Sequence, residues 1–201
     1  RMKTDFHLNI DTFSNTYVVV DEKTKCAVII DPGKPTNEVL KQIETDGYLL
    51  VAALITHNHE ENTRGLTTLR RIYALSVYAA DIDVAATADT TIKGDGILKF
   101  GGITVEYFSV PGHTADSIVY KIGSVLFTGD VISAGELGET TSSYAKDLLC
   151  RGIQTKIFTQ SDDTVIMASH GPLTSVGAEK MYNLEVRQPQ VREGVFRPPI
   201  G

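Results

Sequence analysis

Leu54-Ile55-Thr56-His57-Asn58-His59-Glu60-Glu61-Asn62 is the stretch on which the reading of this 201-residue chain turns. The apolar run from Leu49 to Thr56 reads as a buried strand, and two histidines follow directly beyond its end. On an extended segment, residues i and i+2 point the same way, so His57 and His59 can both reach one ion. The same pattern recurs downstream. Phe108-Ser109-Val110 leads through Pro111-Gly112 to His113, Val125 to Gly129 leads to Asp130, and Ile166 to Ser169 leads to His170. Four of the five histidines therefore stand just past a strand, where loops gather at one edge of a sheet and carry function. Imidazole and carboxylate together suit zinc, iron or manganese. Glycines at 112, 129 and 171 let the backbone turn tightly beside such a site. His7 alternates within the first strand pattern and is read as a bystander.

Around these motifs the chain alternates hairpins with strand–helix units. Phe6, Leu8 and Ile10 alternate with polar residues as in a half-buried strand. Thr16 to Val20 and Cys26 to Ile30 form a hairpin that Asp31-Pro32-Gly33 ends. Thr36 is a candidate cap for a helix carrying Val39, Leu40 and Ile43, with Gly47 as its stop. Leu66, Leu69, Ile72 and Tyr73 recur at helical spacing, and Ser76 to Ala80 reads as a strand. The stretch from Asp81 to Asp95 reads either way. In the second half, Gly101-Gly102 and Gly123-Ser124 join further hairpins. A helix around Tyr144, Leu148 and Leu149, a strand over Thr164 to Ser169 and a helix from Thr174 to Leu184 follow. Two packed sheets with helices outside is the architecture this order predicts.

Composition sets the bounds. With 42% hydrophobic residues and a net charge of -6, one core is expected and a basic nucleic-acid surface is not. No apolar run approaches a membrane span, and no signal peptide is visible. Cys26 and Cys150 make no disulfide framework and are expected to be buried and reduced, which suits a cytoplasmic protein. Residues 1–184 form the expected domain. The tail, residues 185–201, carries Pro189, Pro198 and Pro199 and reads as an extended arm, a candidate contact for a homodimer.

Thr56-His57-Asn58-His59-Glu60-Glu61-Asn62, Pro111-Gly112-His113-Thr114, Phe127-Thr128-Gly129-Asp130 and Ser169-His170-Gly171-Pro172 resemble the successive motifs of the metallo-β-lactamase superfamily, in its glyoxalase II-like branch. The likeness runs from about Asn15 to Leu184, and Asp31-Pro32-Gly33 resembles the family's early Asp-x-Gly loop. It implies an α+β fold, a four-layer αββα sandwich, with one or two metal ions at the sheet edge. By resemblance, His57, His59 and His113 form a first metal site and Asp130 bridges to a second. The second would use positions 61 and 62, Asp130 and His170. Here the chain departs from the family's His-x-His-x-Asp-His: Glu61 stands for Asp and Asn62 for His. Glu61 can still reach an ion, whereas Asn62 is at best a weak ligand.

The resemblance implies a metal-dependent hydrolase that activates water against an ester-like or thioester carbonyl of a small molecule. Zinc is the first expectation, with iron and manganese as the other candidates. Asp130 and Glu61 are the candidate catalytic residues, Glu61 orienting water or acting as general base. Two rivals stand beside it. One is a mononuclear iron enzyme of the persulfide dioxygenase type, using His57, His113 and Asp130. The other is a degenerate, non-catalytic metal-binding domain. Secreted β-lactamases of the B1 type carry Cys at the position of Asp130, and true glyoxalase II adds a C-terminal helical domain for glutathione. A glutathione thioester is therefore not expected. The loop Ser133 to Ser143 is expected to line the pocket.

Overall fold

Alternation of side chains decides the layering. In the computed structural model, which describes residues 1–81, 84 and 90–187, strand β2 (Ser14–Asp21) is buried along its whole length. Its residues nevertheless separate by parity. Val18 and Val20 join one core with Ala27 and Ile29 of β3 (Cys26–Ile30), while Tyr17 and Val19 join another with Val28 and Ile30. A strand buried on both faces must separate two apolar layers, because successive side chains leave opposite faces.

The first sheet has the order β1-β2-β3-β4-β5-β6, with β1 (Met2–Asn9), β4 (Leu49–Leu54), β5 (Ser76–Ala79) and β6 (Thr90–Thr91). Its outer core packs on α1 (Asn37–Thr45) and α3 (Leu66–Ile72) through Val39, Ile43, Leu66 and Leu69. The second sheet has the order β14-β13-β10-β9-β8-β7. Its strands are β7 (Gly96–Phe100), β8 (Ile103–Ser109), β9 (Ile118–Ile122), β10 (Val125–Gly129), β13 (Val165–Ala168) and β14 (Thr174–Ser175). Tyr120 and Phe127 face the first sheet, and Val119 and Leu126 face α4 (Ser143–Gly152) and its continuation Ile153–Ile157, a wider π-type turn. Helix α5 (Val176–Tyr182) closes that layer. The αββα sandwich of the α+β class is thus present.

Two tyrosines tie the sheets together. Tyr17 of the first sheet donates to Ala168 O at 2.6 Å, and Tyr120 of the second donates to Ile55 O at 2.7 Å. Both carbonyls lie two residues before a histidine of the functional edge, His170 and His57. Each phenol supplies the hydrogen bond that a buried polar group needs.

Several expectations change in detail. The first strand alternates as expected, but Phe6 and Leu8 are exposed, because β1 is the edge strand of its sheet. Thr174 and Ser175 pair with β13 rather than opening the last helix, and Ser175 caps α5 by accepting from Ala178 N. The strand over Ser76 to Ala80 ends at Ala79. Leu184–Arg187 forms one more helical turn, α6, where an extended arm was expected from Glu185 on. Val186 is buried there, and Glu185 accepts from Leu137 N. Residues 188–201 lie outside the described residues, as do 82–83 and 85–89 of the stretch left open. Cys26 and Cys150 are free and only half-buried. Among the described residues no helix is long and apolar enough to cross a membrane.

Replacing Tyr120 by Phe strands the buried Ile55 carbonyl, whereas replacing Tyr17 leaves Ala168 O only the longer bond from Asn15 Nδ2. Each change should lower stability by ~1–3 kcal/mol in chemical denaturation. Unchanged midpoints would show that the two phenols do not tie the sheets.

Candidate metal centre

Strand ends and glycines aim the side chains. His57 follows β4 through Ile55 and Thr56, and His59 N donates to His57 O at 3.0 Å. The two histidines are therefore brought together by a tight turn rather than by an extended segment. In consequence His57 offers Nε2 and His59 offers Nδ1, 2.9 Å apart. Asp116 clamps this turn from the neighbouring loop by accepting from Asn58 N at 2.7 Å. Gly112, at φ 144°, lies so close to α4 that a Cβ would meet Leu149 Cβ at 2.5 Å; this places His113. Gly129, at φ 55°, brings the end of β10 against Thr56, whose Oγ1 a Cβ would meet at 2.5 Å; Asp130 follows at once. The register between β10 and β13 shifts at this point, a bulge of the kind that re-aims a side chain. His170 follows β13, where Asn15 N donates to Ser169 O.

These residues converge in two groups that share Asp130. His57, His59, His113 and Asp130 form the first, and Glu61, Asp130 and His170 the second, each with ligand-type atoms within 4.8 Å of one another. Asp130 Oδ2 lies 3.1 Å from His57 Nε2, 3.9 Å from His59 Nδ1 and 3.6 Å from His113 Nε2. Its Oδ1 lies 2.9 Å from His170 Nδ1, and His170 Nε2 lies 3.3 Å from Glu61 Oε1. Asn62 differs from the expectation of a weak ligand. It is buried, and its amide Nδ2 sits 3.2 Å from His57 Nδ1 and 3.3 Å from His57 O. The side chain thus turns back to brace His57 through its backbone carbonyl, to which the amide donates. His7 lies apart on β1, with Nε2 at 2.9 Å from Gln42 Oε1 of α1.

Proton positions follow from the partners. Thr56 has one hydroxyl hydrogen, and it goes to Asp31 Oδ2 at 2.7 Å. Thr56 Oγ1 must then accept from His57 Nδ1 at 2.9 Å, which leaves His57 Nε2 a lone pair facing the cluster. His113 is oriented the same way: Nδ1 donates to Glu139 O at 2.7 Å. Its Nε2 is buried and has no hydrogen-bond partner among the described residues. A buried, unpartnered imidazole nitrogen aimed at two other imidazoles and a carboxylate fits a divalent cation.

The electrostatics agree. Burial alone would raise the Asp130 carboxyl, but hydrogen bonds from His170 and His57 and their charges hold it well below the usual range. Burial pulls His57 down, yet Asp130 and Asp31 outweigh it and raise the imidazole. The hydrogen bond to Asp130, against burial, raises His170, and burial with the charges of His57 and His113 lowers His59. Burial pushes Asp31 up to about 6, against the pull of His57 and the bonds from Thr56. A cation entering the cluster takes over the role of these protons, so binding releases them.

An open cleft of about 850 Å³ adjoins the centre, lined in part by His59, Glu61, Leu8, Ile10, Lys34 and Arg64. The loop Ser133 to Ser143 does not line it. That loop instead forms a small hairpin, β11 (Ile132–Ser133) with β12 (Glu136–Leu137), and then supports His113 through Glu139 O. Gly138 is pressed against Asp130 O, which a Cβ would meet at 2.0 Å. Sequence reasoning missed Thr56, Glu139 and Asn62 as supports, because two of these contacts use backbone atoms or turn on which way an amide faces. Thr56, next to His57, was the one legible signal.

Titrating apo protein with zinc should give one tight equivalent and a second one weaker by ~10-fold or more, because Asn62 is withdrawn from the second group. His57→Ala or His113→Ala should abolish the tight equivalent, and Thr56→Val should weaken it ~10–100-fold. His7→Ala should leave the titration unchanged. Two equally tight equivalents would contradict the assignment of Asn62.

Residues 9–188 match the family model of the metallo-β-lactamase superfamily. A curated relative named hydroxyacylglutathione hydrolase GloC, from Haemophilus influenzae, is 28% identical over 199 residues, covering 87% of this chain and 93% of its own. A longer hydroxyacylglutathione hydrolase from Chromohalobacter salexigens is 29% identical over 166 residues, 80% of this chain and 64% of that one. This chain thus spans somewhat less than two thirds of the longer relative. Among solved structures, ETHE1 from Myxococcus xanthus superposes with a TM-score of 0.83 at 25% identity, covering 90% of this chain and 83% of that one. With a family match over most of its length, two sheets in an αββα sandwich and a His/Asp cluster at their shared edge, the chain belongs to the metallo-β-lactamase superfamily and is similar to its glyoxalase II-like members.

Proposed function

We propose that the chain hydrolyses a small thioester or ester in a zinc-dependent reaction, and that it does so in the cytoplasm. The observation that carries the reading is Asp130, shared between a three-imidazole group and the Glu61–His170 group beside an open cleft. A divalent cation bound by His57, His59, His113 and Asp130 would bring the pKa of water toward neutrality and polarise a carbonyl. The rest is the work of this chain. Asp130 uses one oxygen to hold the imidazoles together and the other to hold His170. Glu61, on the short helix α2 (Glu60–Thr63) and bordering the cleft, takes the proton of the attacking water. The water oxygen bonds to the acyl carbon and the carbon–sulfur or carbon–oxygen bond breaks. That proton ends on the leaving thiol or alcohol, and the acid gives the water's second proton to solvent and departs as carboxylate.

The mononuclear iron alternative needs His57, His113 and Asp130 with open positions opposite. His59 Nδ1 lies within the same group, 2.9 Å from His57 Nε2, and so favours the hydrolase. The cleft favours a small-molecule substrate over a purely structural centre.

Chelation should abolish turnover of a simple acyl thioester, and added zinc should restore it. Glu61→Gln should lower kcat ~10²–10⁴-fold, with tight-site zinc retained by mass spectrometry. Wild-type turnover in a metal-free sample would defeat the proposal, and full turnover by a zinc-loaded Glu61→Gln would remove Glu61 as the base.

A further inference from the structure

We infer that the cleft selects acyl substrates that carry a carboxylate away from the reacting bond, and that Lys34 and Arg64 read it; this deepens the hydrolase reading and rests on it for the reacting end alone. The two cations come from different segments, whose backbones are held together by glycine contacts. Gly65, next to Arg64, lies against the loop of Lys34 so closely that a Cβ would meet Gly33 O at 2.2 Å and Pro35 Cδ at 2.0 Å. Gly33, next to Lys34, lies in turn on the Glu61 backbone, which a Cβ would meet at 2.5 Å, and Gly33 N donates to Asn62 O at 3.1 Å. The segment that carries Glu61 to the metal centre therefore also anchors the loop of Lys34. Both cations line the same cleft as His59 and Glu61.

Neither cation is used internally. Lys34 is exposed and makes no ion pair among the described residues. Arg64 has one loose contact, to the exposed Glu60 at 4.0 Å. The cleft also has acids, but most have assigned roles. Glu61 belongs to the metal centre, Glu60 faces Arg64, and Glu38 sits in the first turn of α1, where it complements the positive helix end. Asp11, on the turn after β1, lines the cleft as well, so its four acids outnumber its two cations; Glu60 reaches only Arg64 Nε, and the terminal nitrogens of the guanidinium carry no ion pair among the described residues. Exposed Leu8 and Ile10 give the same cleft an apolar wall. A carboxylate accepts the planar fork of a guanidinium and the point charge of an ammonium, and an alkyl stretch suits the wall. A volume of about 850 Å³ is within the ordinary range for a small-molecule site.

The test uses two thioesters of N-acetylcysteamine, the adipoyl derivative and its methyl ester, which differ only in the distal charge. Their thioether analogues, with a methylene in place of the thioester carbonyl, report binding without turnover. Zinc-loaded wild type should bind the carboxylate thioether tighter than its methyl ester, and kcat/KM should show the same preference. Lys34→Met with Arg64→Met should reduce that preference by ~10-fold for each cation removed, through KM. Arg64→Lys, which keeps the charge, should retain most of it. If neither thioester is hydrolysed but the thioethers still bind with the carboxylate preferred, the hydrolase reading falls and the carboxylate site stands. Equal binding of the two thioethers to wild type, or an undiminished preference in the double variant, overturns the inference.

Discussion

Asp31 is the group on which the site depends. Its carboxylate is fully buried, a costly position for a charge unless hydrogen bonds replace lost water. It accepts from Thr56 N at 2.9 Å, from Thr56 Oγ1 at 2.7 Å and, more loosely, from Ser169 Oγ at 3.4 Å. Thr56 precedes His57 and Ser169 precedes His170. One buried carboxylate therefore ties together the loops that carry both metal-type groups, and through Thr56 it also sets the tautomer of His57. Asp31 holds φ 48°, a left-handed conformation that aspartate tolerates better than most residues. Removing either loop from its reach would leave a buried charge under-satisfied, so the fold and the site are stabilised by the same bonds.

The sandwich explains why these loops meet at all. Parallel pairing of β3 with β4 and of β10 with β13 sends the ends of β4, β10 and β13 to one edge. Tyr17 and Tyr120 then fix the two sheets against each other at the residues just before His170 and His57. Glycines do the remaining placement where a side chain has no room, at Gly112 against α4 and at Gly129 against Thr56. On the far side of the centre the C-terminal helices contribute indirectly. Glu179 accepts from Gly135 N and Glu185 from Leu137 N, which steadies the hairpin leading to Glu139 O and His113.

The altered positions 61 and 62 take on meaning in this frame. Glu61 keeps a carboxylate in the second group, beside His170 and within reach of the cleft. Asn62 cannot replace an imidazole and is used instead as a brace behind His57, donating to its backbone carbonyl. The centre is thereby unequal: a complete imidazole group on one side of Asp130, and a carboxylate-rich group on the other. Such asymmetry suits chemistry in which one group binds and the other moves protons.

The sequence by itself determined most of the longer strands, their hairpins and the residues that cluster at the sheet edge, but not the short pairs β11–β12 and β13–β14. His57, His59, His113, Asp130 and His170 each stand directly after an apolar run, and a strand's period of two makes such runs legible from local pattern alone. Two packed sheets with helices outside were legible from the order of hairpins and strand–helix units, and the four-layer sandwich from the family resemblance. Tertiary structure decided what local pattern cannot carry. Which nitrogen of His57 faces the centre depends on Asp31, twenty-six residues away in sequence and in contact only because β3 pairs with β4. The turning of Asn62 toward His57, the service of Glu139 through a backbone carbonyl, and the placing of the cleft beside Lys34 rather than Ser133 to Ser143 depend on long-range packing. Residue type fixes what a side chain can donate or accept; only the packed sheets fix which partner stands within 3 Å of it.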